Sequence, residues 1–256
     1  MAFADRLASS FRALRGLLAG GGDAAADNAP SPPLDANATF DKLKTLARPA
    51  SLATVGGFRP PEDPTCSWFM RGCGLAGETV PEWRGEPMVP LLQIRVDELP
   101  FVPEQISHAA LIVLFRAPSA PLTATPHGEG WLIREYTTLD GLQPFPAVEA
   151  PFKSFPVQWT RADDDSPGWE DAWSLLDLTS INRDEAAFDR FFDEFARYSA
   201  TKVGGYPYEI QHGAGVEDFV FQVGSEDKAH WMWGDSGVAY FHRTEDGTWR
   251  FDCQFY

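Results

Sequence analysis

Cysteine is scarce: the 256-residue chain has three, Cys66, Cys73 and Cys253. An odd, sparse set excludes a disulfide scaffold and points to a reducing compartment, so the expected location is cytoplasmic. No apolar run approaches the roughly 20 residues of a membrane span. Basic residues are outnumbered, 21 Lys and Arg against 37 Asp and Glu, for a net charge of -16. Nucleic acid and anionic membrane are therefore poor partners for the body of the protein, and a basic protein is a better one. Phosphate-cradling patterns are missing, both the P-loop and a Gly-x-Gly-x-x-Gly after a strand. Cys66 and Cys73 stand too far apart for a CxxC motif. The spacing of His212, His230 and His242, with Cys253 beyond, matches no zinc pattern, so no metal and no cofactor is expected.

Aromatic rings are plentiful: 19 Phe, 9 Trp and 6 Tyr. Rings in such number belong first to a core. Phe3, Leu7, Phe11, Leu14 and Leu18 fall on one helical stripe, with Arg6, Arg12 and Arg15 opposite. The first 37 residues are thus expected as a basic amphipathic helix at 2–18, able to contact a membrane surface or a partner, and a Gly-, Ala- and Pro-rich linker at 19–37. Residues 38–256 form the main domain. It opens on a short helix capped by Asn37 or Thr39, running to about Ala47 and ended by Pro49.

Val55 to Pro87, rich in Gly and Pro, is expected to be irregular. Met88–Val96, His108–Phe115, Trp131–Tyr136 and Phe152–Thr160 have the composition of strands. Asp163-Asp164-Asp165 lacks the ligand spacing of a calcium loop, and Ser166-Pro167 is the expected start of a helix. A helix is expected at 183–199, with Asn182 as cap and Glu185 completing a capping box. Its stripe of Phe188, Phe191, Phe192, Phe195 and Tyr198 should lie against a sheet. The carboxyl-terminal stretch alternates turns and strands: Gly204-Gly205, Phe219–Val223, Trp231–Trp233, a tight turn at 234–237 and Val238–Phe241.

A duplication is suggested by order. Val55-Gly56-Gly57-Phe58 and Val203-Gly204-Gly205-Tyr206 are alike, and each precedes an apolar strand with a central glutamine, Gln93 or Gln222. The expected fold is α+β: a mainly antiparallel, aromatic-rich sheet with a packed amphipathic helix, in two similar halves, 50–136 and 150–256.

Candidate chemistry is thin. Ser236 in Gly-Asp-Ser-Gly matches the surroundings of a protease nucleophile by composition, but the same residues make an ordinary hairpin turn. No catalytic residue is assigned. A recognition surface is the better expectation, built from Tyr206, Tyr208, Glu209, Asp227, Trp231, Trp233, Asp235 and His242. Aromatic walls rimmed by carboxylates would suit a cationic loop or helix.

The Gly204-Gly205-Tyr206-Pro207 turn, the Leu91-Leu92-Gln93-Ile94 strand closing in Glu98-Leu99-Pro100, and Trp233-Gly234-Asp235-Ser236-Gly237 leading into Tyr240-Phe241 resemble the YwqG-like family of uncharacterised bacterial proteins. The resemblance covers residues 50–256 and is strongest over 88–101, 202–209 and 219–253. It implies a soluble α+β protein with no established active site. Some relatives are thought to act as antitoxin-like immunity proteins. The resulting expectation is a non-enzymatic, acidic protein-binding module of the bacterial cytoplasm, with immunity to a basic toxin its most specific form. The alternative is a hydrolase-like enzyme using a C-terminal histidine and a carboxylate.

Overall fold

A computed structural model describes residues 35–148, 150–211 and 213–256. The expected amphipathic helix at 2–18 and most of the linker lie outside the described residues, as does His212. The chain divides into two compact units. One takes the chain up to Leu46 with Ala172–Ala196, and the other takes Ala47–Asp171 with Arg197–Tyr256.

The described residues of the smaller unit are mainly helical. Helix α1 (Ala36–Lys44) is capped by Asp35, whose Oδ1 accepts the Asn37 N–H at 2.9 Å. The cap therefore precedes both expected candidates, and three residues of the expected linker already belong to the cap and first turn. Helix α2 (Trp169–Leu175) runs over the boundary between the units, followed by α3 (Thr179–Arg183) and α4 (Glu185–Glu194). Ser166-Pro167 lies before α2 rather than opening it. Asp184 caps α4 by accepting the N–H groups of Ala186 and Ala187, so the expected helix at 183–199 starts later than drawn. It also stops earlier, because Phe195 is already extended at φ -98° and ψ 118°. Phe195 stacks on Phe40 of α1 with centroids 5.9 Å apart and meets Phe191 at 5.3 Å. The Arg190 guanidinium covers the outer face of Phe40 at 4.2 Å and bonds Asn37 Oδ1.

The larger unit is built on strands β1 (Arg48–Val55), β2 (Trp68–Phe69), β3 (Cys73–Leu75), β4 (Glu82–Trp83), β5 (Glu86–Pro87), β6 (Val89–Arg95), β7 (Leu111–Arg116), β8 (Trp131–Tyr136), β9 (Leu142–Pro144), β10 (Phe155–Asp165), β11 (Lys202–Gly204), β12 (Phe219–Gly224), β13 (Val238–Arg243) and β14 (Trp249–Gln254). Ten of them form one sheet in the order β14-β13-β12-β11-β1-β10-β2-β6-β7-β8. Every pairing is antiparallel. Two meanders, β6-β7-β8 and β12-β13-β14, thus flank a central pair, β1 and β10. Strand β1 fills a stretch for which no element was expected, between the short helix ended by Pro49 and the irregular segment that begins at Val55. Trp231–Trp233 is not a strand and keeps only an isolated bridge between Glu226 and Trp231.

Twist accumulates from strand to strand and curls a wide sheet. Here it brings the two edges face to face. Trp131 of β8 lies 5.5 Å from Phe251 of β14 and 5.8 Å from Phe241 of β13, ring to ring. Glu135 of β8 accepts hydrogen bonds from Arg243 Nε at 3.1 Å and Trp249 Nε1 at 2.5 Å. The sheet is nearly closed, and the rings of Phe221, Trp233, Phe241 and Phe251 fill its interior with Leu92, Ile94 and Leu114.

The two meanders share polar detail. Gln93 of β6 is fully buried; its Oε1 accepts the Cys73 N–H, and its Nε2 donates to the carbonyls of Pro64 and Cys66. Gln222 of β12 is equally buried; its Oε1 accepts the Tyr208 N–H, and its Nε2 donates to the carbonyls of Tyr198 and Ala200. Ser67 Oγ accepts the Arg95 N–H, and Thr201 Oγ1 accepts the Gly224 N–H. The ladder of each meander shifts register just before its glutamine, between Pro90 and Leu92 and between Phe219 and Phe221. The residue beyond β2 with positive φ is Met70 at 59°, and beyond the middle of β11 it is Gly204 at 80°. Gly56-Gly57, the expected counterpart of Gly204-Gly205, instead follows β1.

Each glutamine satisfies three main-chain groups that would otherwise be unpaired. Gln93→Ala and Gln222→Ala should each lower stability by about 1–3 kcal/mol per stranded group, read as a drop in the urea midpoint at unchanged slope. A midpoint equal to that of the parent protein for either variant would contradict this account.

Candidate functional site

The structure separates the expected site residues into two groups and isolates one. Tyr206, Tyr208 and Glu209 follow β11 and meet the end of β10 and the start of α2. Asp227, Trp231, Trp233 and Asp235 lie in the long turn between β12 and β13. His242 stands apart on β13: its ring is buried, its Nδ1 bonds the Glu217 carbonyl at 3.1 Å, and burial holds its pKa below the ordinary histidine value.

The first group surrounds a buried ion pair. Asp165 closes β10 and Lys202 opens β11, and both are shielded from solvent. Asp165 Oδ2 accepts from Lys202 Nζ at 2.6 Å and from the Tyr206 N–H at 2.8 Å. Burial pushes the carboxyl up and the ammonium down, each toward neutrality, and the attraction between them opposes both shifts. The Arg48 guanidinium lies over the Tyr206 ring at 4.2 Å.

Beyond this pair sit two more carboxyl groups. Asp171 is buried, and desolvation pushes its pKa to about 6, against the pull of Arg48. Glu209 is half-buried and is pushed to about 8, first by desolvation and then by repulsion from Asp171 and Glu170. It accepts the Asp171 N–H, and Arg197 offsets part of the shift. Gly168 packs so closely that any side chain there would run into the Glu209 carboxylate. At neutral pH Glu209 therefore carries a proton next to an ionised Asp171, an arrangement able to donate a proton or a hydrogen bond. Tyr208 is pinned through its main chain: its N–H bonds Gln222 and its carbonyl accepts the Tyr240 hydroxyl.

The second group is anchored from inside. Trp231 and Trp233 face inward, 5% and 0% exposed, and meet edge-to-face at 5.0 Å. Phe152 packs on Trp231 at 5.3 Å and Phe251 on Trp233 at 5.9 Å. Both indoles are core, which leaves neither to wall an open cleft. Met232 between them faces solvent at 43% exposed. Asp227, His230 and Asp235 are exposed as well, and the Tyr256 N–H bonds the Asp235 carbonyl, which lays the exposed Tyr256 beside the turn.

Ser236 occupies this exposed turn with φ 54°, and among the described residues no hydrogen bond joins it to a histidine. His230 is solvent-facing while His242 is buried on a strand, so these two do not share a pocket. The thiols are pushed up by burial, Cys66 and Cys73 to about 11 and Cys253 to about 12, which keeps them protonated and unreactive. Sequence reasoning missed Asp165, Asp171 and Lys202. Strand alternation could not have found Asp165: the buried positions of β10 include Val157, Trp159, Ala162 and Asp165, with Arg161 and Asp163 exposed, and the ladder shifts register between Arg48 and Ala50.

A family model described as a domain of unknown function (DUF1963) matches residues 75–248. No curated protein matches the chain.

Lys202→Met leaves a buried carboxylate without its counter-ion, and should cost about 3–5 kcal/mol in urea unfolding. Adding Asp165→Leu should recover much of that loss; equal stability of Lys202→Met and the parent protein would remove the ion pair from the account. A second outcome concerns pH. Because Glu209 titrates higher in the folded state than in the unfolded one, folding holds an extra proton between about pH 4 and about pH 8. Its contribution is full below the unfolded value and is lost as pH rises through the folded one. Melting temperatures should show the parent protein losing ground to Glu209→Gln as pH rises across this window, and parallel profiles would refute the assignment.

Proposed function

Given that the chain belongs to the DUF1963 domain family, we propose that it is a non-enzymatic binding module whose partner is a basic protein segment. Within that family we infer the YwqG-like kind, from the motifs around Gln93, Gly204-Gly205 and Trp233–Gly237. The observation that carries the reading is the exposed face of the β12–β13 turn. Met232, 43% exposed, shares with the exposed Asp227 and Asp235 a segment whose two indoles are fixed in the core, and Tyr256, 46% exposed, adjoins it through the bond of its N–H to the Asp235 carbonyl. Methionine and tyrosine are favoured at the centres of protein interfaces, and a carboxylate rim selects cationic partners. A rigid base lowers the ordering cost of binding. The net charge of -16 would speed encounter with a basic partner. Neutralisation of a basic toxin is the most specific form of the proposal. Buried, protonated thiols fit a reducing cytoplasm.

We also infer that the sheet arose by duplication. Support comes from the paired contacts of Gln93 and Gln222, of Ser67 and Thr201, and from the matched register shifts. In this reading the repeats exchange strands relative to the expected halves 50–136 and 150–256. Strand β1 pairs beside β11, and β10 pairs beside β2, so each half lends a strand to the other.

The probe for the binding face is a lysine- and leucine-rich peptide, followed by fluorescence anisotropy at physiological salt. Asp227→Lys with Asp235→Lys, and separately Met232→Ala, should weaken binding about ten-fold or more. Asp140→Lys with Glu245→Lys makes the same charge change at exposed positions outside this turn and should weaken it far less. Equal losses from both charge pairs, with no effect of Met232→Ala, would reduce the binding to bulk electrostatics and refute the site.

A further inference from the structure

A second site, independent of the acidic face, lies between the β2–β3 connection and the segment that follows β9. A partly open cavity of about 320 Å³ lies there. That is at the small end of the range of natural ligand sites, roughly 300–1,000 Å³. Val89, Phe145, Val148, Ala150 and Phe152 supply apolar walls, and among the described residues Arg71 is the one charged side chain lining it.

The cavity is framed before any ligand arrives. Ser154 Oγ donates to the Met70 carbonyl at 2.8 Å, and the Phe145 N–H donates to the Gly72 carbonyl at 2.9 Å. These two bonds staple the later segment to the earlier loop. Met70 holds a positive φ of 59° with its N–H bonded to the Leu91 carbonyl, which turns the chain so that Arg71 follows at the wall. Gly72 admits no side chain, because a Cβ would come within 2.8 Å of Val113 and 2.9 Å of Pro90. Phe145 is braced edge-to-face on Phe115 at 5.5 Å, and Phe152 on Trp231 at 5.3 Å.

Arg71 is held but not neutralised. Its guanidinium lies over the Trp68 ring at 4.7 Å, and among the described residues no carboxylate forms an ion pair with it. A planar guanidinium fixed by stacking presents its donors in a fork that matches one carboxylate. Among the described residues a single cation faces these walls and balances a single negative charge; a phosphate dianion would require more donors. We propose that this cavity binds a small monocarboxylic acid with an apolar body, its carboxylate on Arg71 and its hydrocarbon part between Phe145 and Phe152.

The experiment is isothermal titration calorimetry with phenylbutyrate as probe and its neutral amide as the control. The carboxylate should bind, and both the amide and the Arg71→Gln variant should weaken the interaction about ten-fold or more. Ala150→Trp, which fills the cavity, should abolish it, while far-UV circular dichroism and the melting temperature confirm that each variant folds. Absence of binding to the parent protein would overturn the proposal. So would equal affinity for acid and amide, or undiminished binding by Arg71→Gln.

Discussion

The larger unit depends on how it treats one pair of charges. Asp165 and Lys202 sit at 2.6 Å with almost no access to solvent, on the strands that flank β1 in the middle of the sheet. Taking such charges out of water is costly, and only close geometry with further hydrogen bonds offsets it. The Tyr206 N–H provides one such bond, so the turn after β11 cannot move without exposing the carboxylate. That turn in turn sets the path of Tyr208 and Glu209. An apolar pair of similar volume could supply comparable stability, but it would not hold this main-chain amide in place. The pair is best understood as a device that fixes one path for the chain.

Around it, the remaining polar interior is handled in the same way. Gln93 and Gln222 each bond three main-chain groups from the segments before and after the neighbouring strand, β2 or β11. Rings then complete the interior: Trp131, Phe241 and Phe251 meet across the place where the two edges come together. Directional bonds specify the path and non-directional packing supplies most of the stability.

Much of this was legible in the order of residues. Strands β6, β7, β8 and β12 announce themselves by runs of branched and aromatic side chains, and Trp131–Tyr136 was placed to the residue. Strand β1 was hidden for a physical reason. Arg48-Pro49-Ala50-Ser51 has neither alternation nor bulk, and Ser51 is buried only because its hydroxyl bonds the main chain of Phe101. The clustering of Glu209 with Asp171 was equally hidden, since it joins segments nearly 40 residues apart through the fold. Strand alternation was expected to put Trp231 and Trp233 on one side, but the segment is not a strand, and its packing against Phe152 and Phe251 makes both indoles core. Arg71 gave no signal at all, because its standing rests on having no ion-pair partner among the described residues.

The facing of β8 and β14 bears on behaviour in a crowded cell. Strands at the rim of an open sheet present bare amides and carbonyls, ready templates for another chain to add on and grow a fibril. Here Glu135 clasps Arg243 and Trp249 across the gap, so each rim shields the other. A sheet of ten strands can thus remain self-contained without the continuous hydrogen-bonded ring of a true barrel.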